Sequence, residues 1–325
     1  MGQVSFMGKN IVITGGCGFI GSHLIRRLLR EDANIFLFNK SSTSTWRIKE
    51  YLNKVKIIKI DITNSLDVHS CIHEIKPDYV FHLAAYGMDS SQNDYIKAAN
   101  TNIIGTINIL SSLKEINCCK VINIGSCAEY GNRKEVMSED MNLMPVSIYG
   151  STKASGTLIA HQIAKENNIK IVTLRPFGIF GEGEERHKIF CHIIMSILED
   201  RDVKLTNCEQ YRDYCYVENI IDGMIMAAKN EAIENDVFNI ACGELYPLKY
   251  YVELIFKNLK TDRKALYGAV KYKKNEMWVP AANISKIKSL LQWRPEINIE
   301  EGIIRTINWY KQNKYMFKMA GDSNG

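Results

Sequence analysis

Asn10-Ile-Val-Ile-Thr14 runs directly into Gly15-Gly-Cys-Gly-Phe-Ile-Gly21, and the residues after this turn have the apolar spacing of a helix. The first five residues are apolar on both faces, as in a buried parallel strand. Gly15 permits a tight turn, Gly18 lets backbone N–H groups approach a pyrophosphate, and Gly21 lets the helix lie close to the strand. The helix N-terminus then points its unpaired N–H groups at the phosphates. Spaced glycines alone would also serve as a helix cap. Placed after the first strand and at the opening of a helix, they predict a dinucleotide turn formed by Gly15, Gly18, Phe19, Ile20 and Gly21.

Outward from this stretch, short runs rich in Ile, Val and Phe recur at residues 34–38, 55–60, 79–83, 121–125 and 171–175. Helical patterns at 19–30, 66–75, 98–116 and 148–167 separate them. That alternation predicts an α/β protein with a Rossmann-like, doubly wound parallel sheet over residues 9–176. After Arg175-Pro176 the rhythm loosens into a charged loop at 181–188 and a helix near 189–198. A helix at 218–229 and a strand at 237–241 come next, then Lys-rich helices at 248–259, 284–291 and 299–313. The expectation is a smaller C-terminal substrate-binding α/β lobe over 177–215 and 243–317, with 216–242 returning to the first sheet. Residues 318–325 are expected to be a disordered tail.

Composition narrows the class. The 325 residues exceed what one core usually organises, at ~150 residues per unit. The balance of 24% charged to 46% hydrophobic excludes disorder for the bulk of the chain. The net charge of +5 is spread rather than clustered, which argues against a nucleic-acid partner. No apolar run approaches the ~20 residues of a membrane span, and MGQVSFMG lacks the basic start and apolar block of a secretory leader. Nine cysteines without a CxxC pair read as reduced thiols. A soluble, cytoplasmic protein is expected.

The second strand ends Phe38-Asn39-Lys40-Ser41-Ser42, with Arg47 nearby. An acidic residue there would hold the ribose 2′-hydroxyl of NAD. Asn39 cannot repel a 2′-phosphate, and Lys40 and Ser41 could bind one, so NADP is favoured over NAD. Asp61 and Ile62, ending the third strand, are placed to touch adenine.

Tyr149 and Lys153 lie one helical turn apart on one face, ~6 Å along the axis. A free phenol, with a pKa near ~10, is a poor base at neutral pH. A lysine ammonium and an oxidised nicotinamide would stabilise the phenolate. Tyr149 could then take a proton from a hydroxyl as hydride leaves the same carbon. Ser126, ending the preceding strand, supplies a third group to orient that hydroxyl.

Taken in order, Gly15 to Gly21, Asp61, His82-Leu-Ala-Ala85, Asn102, Ser126, Tyr149-x-x-x-Lys153, Arg175-Pro176 and Tyr211-Arg-Asp-Tyr-Cys-Tyr-Val217 closely resemble the extended short-chain dehydrogenase/reductases. These are the NAD(P)-dependent nucleotide-sugar epimerases and dehydratases, and the likeness spans residues 9–312. The resemblance implies hydride transfer at C4 of a nucleoside diphosphate hexose, with epimerisation leading and dehydration or ketosugar reduction as rivals. It implies that Ser126, Tyr149 and Lys153 carry the redox step and that Leu83, Ala84, Ala85, Asn102 and Lys153 line the cofactor. Tyr86, Ser126, Gly178, His187, Arg212, Lys273 and Glu276 are the substrate-side positions. A homodimer is implied too, through a four-helix bundle formed by residues 98–116 and 148–167 of each subunit. A catalytically silent member acting as a binding subunit is the reading from another class; the Ser126, Tyr149 and Lys153 set argues against it.

Departures from the family pattern sharpen the expectation. In 4,6-dehydratases, Asp and Glu follow the hydroxyl residue; here Cys127 and Ala128 stand there, so the acid/base pair for water removal is missing. Cys127 is either a small buried filler or an acid/base group beside a C4 ketone. Glu129 is either a turn cap or a base. Gly178 stands where relatives usually have Asn, and Lys273 where an Arg would grip the diphosphate. His187 is either an exposed loop histidine or a second acid. His69 with His73, and His187 with Cys191, have metal-ligand spacing but no third ligand, so no metal is expected.

Overall fold

The computed structural model describes residues 4–89, 91–272 and 278–321. The first half alternates as the sequence predicts. It comprises β1 (Asn10–Thr14), α1 (Phe19–Leu29), β2 (Asn34–Asn39), β3 (Lys56–Lys59), α2 (Ser65–Ile75) and β4 (Tyr79–His82). Then come α3 (Tyr95–Ala99), α4 (Gly105–Ser112), β5 (Lys120–Ile124), α5 (Ile148–Glu166) and β6 (Ile171–Pro176). The second half holds β7 (Gly178–Phe180), α6 (Ile189–Leu198), β8 (Val203–Lys204), β9 (Tyr211–Arg212), β10 (Tyr214–Tyr216) and α7 (Val217–Lys229). It closes with β11 (Asp236–Ile240), β12 (Tyr246–Pro247), α8 (Leu248–Leu259), β13 (Ala265–Leu266), α9 (Ser285–Leu290) and α10 (Ile299–Gly321).

Seven parallel strands form one sheet in the order β11-β6-β5-β4-β1-β2-β3. The order reverses between β1 and β4, and the crevice outside the strand ends there is where ligands bind in such sheets. Residues alternate across the strands: Ile11 and Ile13 join one core with Leu24, Ile25 and Leu28 of α1. Val12 joins the other with Val68 and Ile72 of α2, Ile109 and Leu110 of α4, and Ala160 and Ala164 of α5. Both faces are therefore covered, which is why the strands carry almost no polar alternation. β11 pairs with β6 from Asp236↔Val172 to Ile240↔Pro176, so the chain does return to the first sheet. The remaining short strands pair as β7 with β10, β9 with β12 and β8 with β13.

Two elements differ from expectation. The helix predicted over 98–116 is split: α3 ends at Ala99, Asn100–Ile104 winds as a π-helix, and α4 follows. The wide turn coincides with Asn102, whose side chain bonds to Tyr86 and Thr152. Tertiary hydrogen bonds thus override the helical pattern, as π-turns at functional sites commonly show. The last helix continues through a non-helical Asn313 to Gly321, past the point where an unstructured tail was expected to begin. Residues 322–325 lie outside the described residues.

Candidate active site

The glycine turn is held by close backbone packing. Gly15 has φ +70°, and a Cβ there would stand 2.7 Å from Ala84 N and 2.8 Å from Leu83 C, at the exit of β4. At Gly21 a Cβ would lie 2.4 Å from Gly15 O. α1, which carries Phe19 and Ile20, has no side-chain cap and no acidic residue in its first turn. Its N–H groups and dipole therefore face a glycine-lined cradle, and these residues fit a dinucleotide pyrophosphate.

At the end of β2, Asn39 is buried and Ser41 is exposed. Lys40, expected to meet a 2′-phosphate, instead pairs with Asp61 (Nζ–Oδ2 2.8 Å). The other Asp61 oxygen accepts from Thr63 N at 3.0 Å and Thr63 Oγ1 at 2.9 Å. Ile62 is buried, and its carbonyl accepts from Asn108 Nδ2 at 2.9 Å. The cationic site read from the sequence is thus already partnered, and Asp61 orders the β3 exit.

The β4 exit is set by a buried chain of hydroxyls around His82. Its Nδ1 lies 2.8 Å from Thr14 Oγ1 and its Nε2 3.0 Å from Thr106 Oγ1. Thr14 Oγ1 accepts from Ala84 N at 3.1 Å, and Thr106 Oγ1 donates to Asn102 O at 2.8 Å. Burial, with the charge of Lys153 second, takes the His82 pKa down to about 3, so the ring stays neutral. The segment Leu83–Ala84–Ala85 is thereby pinned beside the glycine turn. Tyr86 is clamped by Asn102, which accepts from Tyr86 N at 2.8 Å and donates to Tyr86 O at 2.8 Å. The Asn102 amide also donates to Thr152 Oγ1 at 2.8 Å. Asn102, expected to line the cofactor, thus ties the backbone of Tyr86 to α5. The sequence reading missed Thr14, Thr106 and Thr152, single threonines within apolar or helical runs whose only signal is their register.

Ser126, Tyr149 and Lys153 come together at the end of β5. Ser126 N-caps the short 3-10 turn Cys127–Glu129, accepting from Ala128 N at 3.1 Å. Its hydroxyl is also hydrogen-bonded to the Tyr149 phenol. Burial raises the Tyr149 pKa well above its ordinary value, the Ser126 hydrogen bond opposes this, and Cys127 and Glu129 add to it. Lys153 donates to the carbonyl of Ile124, two residues before Ser126, and burial lowers its pKa against the raising effect of Glu129. A phenol in this setting stays protonated until positive charge is brought beside it.

Cys127 follows Ser126 in the same short turn. Burial, then Glu129, pushes its thiol up to about 12, with Arg212 opposing. A thiol held that high is a poor base, which leaves the small filler and the acid from the sequence reading. Of the two readings of Glu129, its contacts form the turn cap. It is fully buried, with Oε1 accepting from Ser126 N at 2.8 Å and Thr157 Oγ1 at 3.1 Å. Its Oε2 accepts from Arg175 Nε at 2.8 Å. A carboxylate so committed is not a proton shuttle.

The substrate-side positions are less uniform. A Cβ on Gly178 would meet Tyr214 Cδ1 at 2.7 Å and Asp213 O at 2.8 Å. The Tyr214 ring occupies the space a larger residue would need, and Gly178 N donates to Asp213 O at 3.1 Å. Gly178 thus serves packing and has no side chain to offer. His187 pairs with Asp89 (Nε2–Oδ2 2.9 Å), joining the 181–188 loop to the loop after β4 rather than standing free as an acid. Arg212 lies on β9 and is near enough to Cys127 to influence its thiol. Asp213 is buried and accepts from Gly243 N at 3.1 Å; burial lifts its pKa to about 7 against that bond. Lys273 and Glu276 lie outside the described residues. Among the described residues no group of three His, Cys, Asp or Glu side chains could hold a metal ion, and no helix is long and apolar enough to cross a membrane.

Comparison with known proteins agrees with this geometry. The family model described as the NAD dependent epimerase/dehydratase family matches residues 11–241. The chain is 28% identical to a UDP-glucuronate 4-epimerase of Thermodesulfobacterium geofontis, over 94% of this chain and 98% of that one. It is also 28% identical to a dTDP-4-dehydro-6-deoxyglucose reductase of Escherichia coli, over 92% of this chain and 96% of that one. Among solved structures, the UDP-glucuronic acid 4-epimerase of Bacillus cereus, in complex with UDP-glucuronic acid and NAD, superposes with a TM-score of 0.82. It is 28% identical, over 93% of this chain and 99% of that one.

Proposed function

The chain belongs to the NAD dependent epimerase/dehydratase family, and from that premise we propose that it catalyses hydride exchange at C4 of a nucleoside diphosphate hexose, with epimerisation as the net outcome. The observation that carries this is the joint placement of Ser126, Tyr149 and Lys153 at the end of β5, with the segment leaving β4 lying between them and the glycine turn. When bound, the dinucleotide supplies a nicotinamide that takes up and returns hydride. Gly15, Gly18, Phe19 and Gly21 would hold its pyrophosphate, and Asn39 and Asp61 would serve its adenosine. Ser126 and Tyr149 bind the sugar hydroxyl, Tyr149 holds or returns its proton, and the Lys153 ammonium stabilises the phenolate. Epimerisation asks for no further acid or base, which suits a pocket where Cys127 is a neutral thiol, Ala128 is inert and Glu129 is committed.

We take NAD as the cofactor rather than the NADP favoured by sequence, because Lys40 spends its charge on Asp61. Residues 177–215 and 243–317 are assigned as the lobe that covers the sugar nucleotide. We also assign a homodimer built on α3, the π-helical turn after it and α5, where Tyr95, Ile96, Ile104, Ile148 and Leu158 leave apolar side chains exposed. A reducing, cytoplasmic setting suits nine cysteines that all stand unpaired.

The test is incubation with UDP-, GDP-, CDP- and dTDP-hexoses, products being identified by mass spectrometry and NMR. An unchanged mass with inverted C4 is expected. A gain of two hydrogens would replace the proposal with ketosugar reduction, and a loss of water with dehydration. Tyr149→Phe should retain cofactor and lower kcat by ~10²–10⁴-fold.

A further inference from the structure

Glu129 holds more than its own turn. Its Oε1 accepts from the backbone N–H of Ser126 at the β5 exit and from Thr157 Oγ1 on α5, one turn beyond Lys153. Its Oε2 is gripped by Arg175 of β6 at 2.8 Å, and Arg175 Nη1 donates onward to Tyr130 Oη at 3.0 Å. Tyr130 Oη in turn donates to Asn239 Oδ1 at 2.7 Å, in β11. One buried carboxylate therefore fastens the segment carrying Ser126 to the helix carrying Tyr149 and Lys153, and both to the neighbouring strands. Gly125 makes the room: a Cβ there would lie 2.6 Å from Glu129 Oε1 and 3.0 Å from Arg175 Cγ.

The Ser126 side chain depends on this arrangement. Ser126 sits at φ −162°, ψ 147°, its N–H taken by Glu129 while its hydroxyl caps Ala128 N, a reciprocal capping box on a turn only three residues long. So short a turn has little stability of its own. Without an acceptor at 129, the buried Ser126 N–H would lose its partner and the backbone that aims the hydroxyl would be free to rotate.

We propose that Glu129 is a positioning residue for the reaction, fixing Ser126 against Tyr149 through its hydrogen bonds to Ser126 N and Thr157, with Arg175 holding the carboxylate in place. This rests on the sugar-redox reading above, and its charge pair can be separated from its acceptor role. Replacing a buried ion pair by apolar residues is often tolerated, whereas removing one partner alone is not. Two double variants are therefore compared. Glu129→Gln with Arg175→Met keeps an acceptor for Ser126 N–H, and Glu129→Leu with Arg175→Met does not, while both lose the ion pair. Each is first checked for wild-type far-ultraviolet circular dichroism.

The Gln variant should lose no more than about threefold in kcat. The Leu variant should lose on the order of 10- to 100-fold in kcat with KM within about threefold, because a misaimed hydroxyl penalises the reacting geometry more than binding. Hydrogen exchange at the Ser126 amide should quicken only in the Leu variant. Equal kcat and equal Ser126 exchange in the two variants would overturn the proposal. Absence of wild-type turnover on every sugar nucleotide would remove the sugar-redox reading, and Ser126 exchange would then decide whether Glu129 holds that residue.

Discussion

Gly15 shows how a single missing side chain can carry a site. Its φ of +70° lies in the left-handed region, and backbone atoms of Leu83 and Ala84 stand where a Cβ would go. Gly15→Ala must therefore move the β4 exit or the turn itself, since neither contact is a flexible side-chain end. The dissociation constant for NAD, measured by calorimetry, is expected to rise by about tenfold or more, ~1.4 kcal/mol for each tenfold. An unchanged constant would mean that the turn is not the pyrophosphate cradle. Gly15 was legible in sequence because its left-handed φ belongs to a spaced-glycine turn between one strand and the next helix; the approach of Leu83 and Ala84 was not. Gly178 was not: its lack of a side chain is set by Tyr214, a residue of another strand.

Among the elements, β4 is the one whose placement decides most, because the segment leaving it reaches the glycine turn on one side and Tyr149 on the other. His82 anchors it to β1 through Thr14 and to α4 through Thr106, as a neutral ring. Its pKa in the folded protein is about 3, below the ordinary 6.5. Between those values the unfolded chain binds the proton and the folded one does not, so this group's contribution to stability falls as pH drops from about 6.5 towards 3. The slope is at most ~1.4 kcal/mol per pH unit across that window. Replacing His82 by Gln should flatten the acid side of the stability-against-pH curve, followed by urea unfolding at pH 4 to 7. An acid slope unaltered by the change would assign the sensitivity to other groups. The strand pattern announced β4; that its last residue is a buried, doubly bonded histidine is set only by the register of β1 beside it, with Thr14 opposite His82.

For the whole molecule, the proposed homodimer turns on the exposed apolar side chains of α3 and α5. Ile96 is 72% and Leu158 63% exposed, on helices that pack together beside the site. Burying a side chain of that size contributes about 1.5–3 kcal/mol, enough for a few such residues per subunit to hold an interface. Ile96→Glu with Leu158→Glu should convert a dimer into a monomer by light scattering at micromolar concentration, with the fold retained. A wild-type protein already monomeric at that concentration would remove the homodimer from the proposal.

The amino-acid order by itself determined the doubly wound sheet, the glycine turn after its first strand, and the one-turn spacing of Tyr149 and Lys153 on α5. Each of these depends on spacing within one element, where strand and helix periods translate sequence directly into geometry. The fate of Glu129, the filled space at Gly178, the widened turn at Asn102 and the ion pair of Lys40 with Asp61 were decided only in the tertiary structure. Each depends on a partner distant in the chain, such as Arg175, 46 residues beyond Glu129. Whether a carboxylate acts as a base or as a brace is fixed by what surrounds its two oxygens, and that enclosure exists only once the strands and helices have come together.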